Sequence, residues 1–228
     1  MSKTQDLLIV IPARSGSKGL KDKNIFMFNG KPLIMHTFDY LIEENYSYDQ
    51  IIISTDSTYY INLLEEYGVP SKCFLLRPSC IAEDNVVDYP VVLNAWTFME
   101  SKRNHIFKYI ALLRPTSPIR PKGLIFDGLS ILKKDSSITS VRAMRKVSEH
   151  PFRVWEKTDD TFAKPIIKNN HEPGNIPRQF LENKYMFQSG ELEIFTRTTL
   201  QSGSISGSRV AFLEMKETNP DIDSANDF

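Results

Sequence analysis

The chain has 228 residues, room for one α/β or all-β domain with at most a small appendage and too few for a multidomain assembly. Hydrophobic residues make up 41% and charged residues 25%, a composition that buries a sizeable core and argues against disorder. Lys plus Arg number 28 and Asp plus Glu 28, so no overall field draws the chain onto nucleic acid or an anionic membrane, and any anion site must be local.

The first element is Leu7-Leu-Ile-Val-Ile11, a continuous apolar run bounded by Pro12, which reads as a strand buried on both faces of a parallel sheet. It is too short for a signal segment or a membrane span. A polar loop from Ala13 to Gly30 leads to Pro32, after which Leu33, Ile34, Phe38, Leu41 and Ile42 recur at helical spacing through Glu44. Ile51 to Ser54 is the next strand, and Ser57 caps a helix that reaches Tyr67 and ends at Gly68 and Pro70. Further strands are expected at Cys73 to Leu76, Tyr109 to Leu113 and Ile138 to Val141, with helices at Asp88 to Lys102 and Lys122 to Lys134.

This alternation predicts an α/β fold: a three-layer, mostly parallel, Rossmann-like sheet with binding at the carboxyl ends of its strands. From Arg145 to about Lys184 the rhythm is broken by Pro151, Pro165, Pro173 and Pro177. An insertion spanning about 145–190 is therefore expected within a single domain covering 1–228, acting as a lid, an oligomerisation arm or both. Strand signals return at Leu192 to Phe195 and at Val210 to Leu213. Cys73 and Cys80 form no CxxC pattern and read as packing residues in a reducing compartment, which points to a cytoplasmic protein.

The strongest chemical signal is Ala13-Arg-Ser-Gly-Ser-Lys-Gly-Leu-Lys-Asp-Lys-Asn24, a basic loop directly after the first strand. Gly16 and Gly19 allow close backbone approach, Ser15 and Ser17 offer hydroxyls, and Arg14, Lys18 and Lys23 supply charge for a polyphosphate. The loop is neither a Walker A motif nor a GxGxxG fingerprint. Asp221 and Asp223, two apart in an extended segment, project to one side, where they suit a hard cation such as Mg²⁺. Leu112-Leu-Arg-Pro-Thr-Ser-Pro-Ile-Arg120 follows another buried strand and leaves Arg114, Thr116, Ser117 and Arg120 as polar groups at its rim. The four histidines show no zinc-site spacing, and no GxSxG elbow is present.

Taken with Ser54-Thr-Asp56, Leu76-Arg-Pro-Ser79 and Pro177-Arg-Gln179, these segments resemble the acylneuraminate cytidylyltransferases, the CMP-sialic acid synthetases, over nearly the whole chain. The resemblance implies a nucleotidyltransferase in which the anomeric hydroxyl of a nine-carbon 2-keto sugar acid attacks the α-phosphorus of CTP, giving a CMP-sugar and pyrophosphate. It assigns Arg14, Ser17, Lys18, Lys23 and Asn24 to the nucleotide and sets Arg77 near cytosine. Arg14 and Lys23 also serve catalysis, together with the metal-binding pair Asp221 and Asp223. Arg178 becomes the anchor of the sugar carboxylate, with Arg153 as a second cation. It further implies Mg²⁺ as cofactor and a homodimer made through the insertion, with no nucleic-acid or membrane partner.

Three segments depart from the family's pattern. Arg114 replaces a glutamine in the nucleotide region, Asp84-Asn-Val-Val-Asp88 replaces a serine-rich helix start, and Ser189-Gly-Glu-Leu-Glu193 replaces Asn-Gly-Ala-Ile-Tyr in the sugar pocket. The acceptor is consequently left open among sialic, legionaminic and pseudaminic types. An eight-carbon Kdo-type acid, a sugar phosphate and a noncatalytic CTP-binding protein are the alternatives.

Overall fold

In the computed structural model, residues 5–16, 20–167, 175–181, 184–216, 221–222 and 227 are described. In chain order the elements are β1 (Leu7–Pro12), β2 (Met27–Phe28), β3 (Lys31–Pro32), α1 (Leu33–Glu43), β4 (Ile51–Thr55), α2 (Thr58–Glu66), β5 (Phe74–Leu76), α3 (Asp88–Arg103) and β6 (Tyr109–Leu112). There follow α4 (Leu124–Lys134), β7 (Ser140–Lys146), β8 (Trp155–Lys157), β9 (Ala163–Pro165), β10 (Met186–Thr196), α5 (Arg197–Gln201) and β11 (Val210–Glu214).

Seven strands form one sheet in the order β11-β7-β10-β6-β1-β4-β5. Every pairing is parallel except those of β10, which runs antiparallel to both β6 and β7. The strands' alternation sorts their side chains into two cores. Leu7, Ile9, Ile11, Ile51, Ile53 and Ala111 pack with α1, α2 and α4 through Ile34, Phe38, Leu41, Leu64, Leu124 and Leu129. Leu8, Val10, Ile52, Ile110 and Leu112 pack on the other face with Val92, Ala95, Trp96 and Met99 of α3 and Leu200 of α5. The result is the expected three-layer α/β architecture, because strands apolar on both faces must be covered on both.

The differences from the sequence reading lie where polarity hides pairing. The expected strand from Ile138 to Val141 is β7, which starts at Ser140 and continues to Lys146. Its outer half, Arg142-Ala-Met-Arg-Lys146, is too polar to register as a buried strand, and Ile138 is held instead in a turn by its N–H to the Asp135 carbonyl. β10 likewise begins at Met186 and not at Leu192, and a bulge between Gln188 and Glu193 interrupts its register with β7. The segment expected to be an insertion carries the β8–β9 hairpin, with Pro151 opening a short 3₁₀ turn before it and Pro165 closing β9. Among the described residues no helix is long and apolar enough to cross a membrane.

The sheet order reverses at β1, which has β4 on one side and β6 on the other. The crevice beyond the carboxyl ends of β1 and β6 is where a doubly wound sheet binds ligands.

Candidate active site

A cavity of about 420 Å³ opens at that crevice, lined by residues just past three parallel strands. Arg14, Lys23 and Asn24 come from the loop after β1, Arg77 follows β5, and Arg114, Pro115 and Thr116 follow β6. Glu83, Asp84 and Asp88 lead into and begin α3 and form the facing wall, with Ile81, Val86 and Val91 supplying apolar surface. Five predicted nucleotide residues, Arg14, Lys23, Asn24, Arg77 and Arg114, thus share one cavity.

The basic loop is held from below. Asp56, just past β4, accepts hydrogen bonds from the Ser15 N–H and hydroxyl, both at 2.8 Å. The buried Asn24 amide donates to the Arg14 carbonyl at 2.9 Å, closing the loop on itself. Asp22 turns the chain with φ of 55°, and its carboxylate accepts from the Tyr60 hydroxyl of α2 at 3.0 Å. The short polar side chain of Asp22 makes that left-handed conformation tolerable. Arg14 itself pairs with Asp84 across the cavity.

Arg77 is only 5% exposed, yet its Nε and Nη1 are buried without a hydrogen-bond partner among the described residues. Burial holds its pKa below the ordinary arginine value; Asp56 and Asp88 counter this and Arg14 adds to it. Two buried donors lacking acceptors are costly in a resting protein, and the cavity that Arg77 lines is where an acceptor would come from.

Arg114 is differently placed. One end of its guanidinium pairs with Glu193 and the other with Asp88 at 2.5 Å. Glu193 is fully buried and also pairs with Arg142, its register partner on β7, at 2.9 Å. Burial opposes the charge on Arg114, but the attraction and hydrogen bonds of Glu193 and Asp88 outweigh it and raise the pKa above the ordinary value. Glu193, expected at the sugar pocket, is therefore tied into this network beneath the cavity and is not among the cavity's lining residues.

Arg120, expected at the rim of its loop, is buried. It donates to the Glu191 and Arg114 carbonyls at 2.8 and 2.7 Å and to the Thr37 hydroxyl of α1 at 2.8 Å, which locks the loop after β6. Burial lowers its pKa to about 10, against the attraction of Tyr40, Glu191 and Asp221.

The carboxyl-terminal segment docks onto the same loop. Ile222 donates its N–H to the Thr116 carbonyl at 2.7 Å, and the Asp221 carboxylate accepts from the Ser117 hydroxyl at 3.3 Å. Gly190, in the β10 bulge, backs this contact so closely that a Cβ there would lie 2.3 Å from the Ser117 Oγ. Asp221 and Ile222 therefore dock on the loop whose Thr116 lines the cavity, and Asp221 is not itself among the cavity's lining residues. Among the described residues no group of three or more His, Cys, Asp or Glu is arranged as a metal cage. A single hard carboxylate nonetheless fits Mg²⁺, which is commonly held by one or two carboxylates plus substrate phosphates.

Ser17, Lys18 and Asp223 lie outside the described residues, as does the Arg178 side chain. Arg153 lies in a short 3₁₀ turn and reaches the Ile176 carbonyl at 3.5 Å, so its guanidinium contacts the insertion itself. Ser189 is buried with its hydroxyl lacking a hydrogen-bond partner among the described residues. Sequence reasoning missed Arg142, since its partner is visible only once strand register is known, and it undervalued Asp56, whose type alone suits helix capping equally well.

A family model described as Cytidylyltransferase matches residues 8–90. The chain is 29% identical over 224 residues to an N-acylneuraminate cytidylyltransferase of Streptococcus agalactiae, an alignment covering 97% of this chain and 51% of the relative. It is 34% identical over 136 residues to a CMP-N,N'-diacetyllegionaminic acid synthase of Legionella pneumophila, covering 59% of this chain and 57% of that protein. The chain thus spans about half the length of these relatives. Among solved structures, a CMP:2-keto-3-deoxy-manno-octonic acid synthetase complexed with CTP superposes with a TM-score of 0.65 at 16% identity, covering 96% of this chain and 94% of that one. That likeness is one of fold.

Proposed function

From its similarity to cytidylyltransferases over residues 8–90 and, at 29% identity, along 97% of its length, we propose that the chain transfers the cytidylyl group of CTP to a nonulosonic, sialic-type sugar acid. The observation that carries the reading is the convergence of Arg14, Lys23, Asn24 and Arg77 on one cavity beside the loop where Asp221 docks. In the reaction the anomeric hydroxyl oxygen bonds to the α-phosphorus, the bond from that phosphorus to the bridging oxygen of pyrophosphate breaks, and the hydroxyl proton is released. Arg14 and Lys23, with Ser17 and Lys18 of the same loop, hold the phosphates and stabilise charge on the departing pyrophosphate. Arg77 offers its buried donors to the nucleotide. Asp221 and Asp223 are the residues that would hold Mg²⁺, which when bound adds Lewis-acid polarisation of the phosphoryl oxygens. One of these carboxylates accepts the proton from the attacking hydroxyl.

On the acceptor side, Arg178 and Arg153 are our candidates for the sugar carboxylate, because a planar guanidinium grips a carboxylate at two points. The insertion exposes Trp155, Phe162, Ile166 and Phe180, the last at 72%, and this apolar surface suits pairing with a second copy. Free Cys73 and Cys80 fit a reducing compartment, the cytoplasm in our reading.

The test is pyrophosphate release with each of the four nucleoside triphosphates against sialic, legionaminic, pseudaminic and eight-carbon Kdo-type acids. CTP with a nine-carbon acid is the expected pair, and activity should vanish with EDTA and in Asp221→Ala and Asp223→Ala. Wild-type turnover in both variants removes the metal assignment, and turnover only with a sugar phosphate or a Kdo-type acid replaces the acceptor. Sedimentation of the wild type against a Trp155→Ser/Phe162→Ser variant tests the dimer.

A further inference from the structure

Three positions that break the family's pattern at distant points of the sequence, Asp88, Arg114 and Glu193, meet in one cluster. Arg114 lies between the two carboxylates, and Glu193 passes the contact on to Arg142 at 2.9 Å, so two cations and two anions alternate from α3 to β7. Arg142 is itself fixed by the Gln188 side chain and the Ser206 hydroxyl. Each terminal nitrogen of the Arg114 guanidinium is engaged by a carboxylate, so its charge is already balanced before any phosphate arrives, and only the N–H groups that these pairs leave over face the cavity. Releasing Glu193 would leave a wholly buried carboxylate short of a partner, and breaking such a pair is far more costly than breaking an exposed one.

We propose that Asp88, Arg114, Glu193 and Arg142 form one charge-compensating unit, in which Arg114 is a positioning residue that neutralises the cavity wall and is not a ligand of the triphosphate. Geometry gives this unit a purpose. Arg114 begins the loop that carries Thr116 and Ser117 to Asp221, and its carbonyl is held by Arg120 at 2.7 Å. Its charge cancels that of a carboxylate that would otherwise repel the polyanion entering the cavity. The three altered positions therefore act together: the added cation at 114 is matched by Asp88 and Glu193, and the charges that then set the field for a triphosphate are Arg14, paired with Asp84, together with Lys23, Arg77 and Glu83.

The ligand in this inference rests on the proposed function, and the test separates the two. CTP affinity in magnesium buffer is measured for the wild type, Arg114→Gln, Glu193→Gln, the double variant and Arg114→Lys, with melting temperatures of each. Arg114→Gln leaves uncompensated negative charge in the wall and should weaken CTP binding by roughly tenfold. The double variant, which loses one charge of each sign, should return to within about threefold of wild type, and Arg114→Lys should bind better than Arg114→Gln. A double variant as weak as Arg114→Gln overturns the proposal and makes Arg114 a direct ligand. If the wild type binds no CTP, the proposed function fails, and the melting data then decide the charge unit. A double variant no less stable than Arg114→Gln supports it, and additive losses overturn it.

Discussion

Arg77 buries two donors, Nε and Nη1, that meet no acceptor among the described residues, beside the cavity it lines. These two donors, without acceptors among the described residues, predict that Arg77→Met raises the melting temperature of the ligand-free protein, by about 2–4 °C for each kcal/mol of desolvation removed. The same change should eliminate the thermal shift produced by CTP, because charge-assisted hydrogen bonds of about 1.5–3 kcal/mol are lost. Thermal denaturation with and without CTP reads both signs, and a less stable ligand-free variant would show that Arg77 supports the fold. Gly190 makes the second prediction at this scale. A methyl group 2.3 Å from the Ser117 Oγ must turn that hydroxyl away from Asp221, so Gly190→Ala should match Ser117→Ala in lost turnover. Combining the two should cost no more than either alone. Arg14, Lys23 and Asn24 were legible as a cationic loop because charge and glycine follow a buried strand. The need for glycine at 190 was not legible, since it arises from contact with a residue on another strand's loop.

At the scale of elements, the loop after β1 is positioned by a neighbouring strand's end. Asp56, beyond β4, accepts two hydrogen bonds from Ser15, and removing them by Asp56→Ala should raise the KM for CTP by roughly tenfold, in line with hydrogen bonds to a charged group. Global stability should change little, because the contact is at the surface end of the sheet; circular dichroism melting and CTP-dependent kinetics distinguish this from unfolding. The parallel strands β1, β4, β5 and β6 were readable because each is apolar on both faces. β7 and β10 were only half readable: Arg142 and Glu193 form an ion pair across the two strands, and no apolar alternation marks their outer ends. Periodicity senses burial against oil, and it is blind to burial against an opposite charge.

For the whole molecule, the two cores that sandwich the sheet bury several weak acids in neutral form. Burial raises the Cys73 thiol from 9.0 to about 11 and, together with Glu44, the Tyr40 phenol from 10.0 to about 12. Burial pushes Tyr46 and Tyr60 higher still, and Asp22 adds to the effect on Tyr60. The folded state holds these protons more tightly than the unfolded chain, so the stability they contribute is complete below about pH 9 and is lost as pH rises through the folded values. Melting temperature should accordingly fall progressively between about pH 9 and 12, and Cys73→Ala with Tyr40→Phe should flatten that fall. A profile unchanged by both substitutions would place the alkaline sensitivity elsewhere.

The docking of Ile222 on Thr116 also sets an order of events during biosynthesis. The cationic half of the crevice is encoded in the first strand and its loop, and the Asp221 carboxylate emerges from the ribosome only after β11. A partly translated chain can therefore assemble its first strand and cationic loop before Asp221 exists to settle against Ser117.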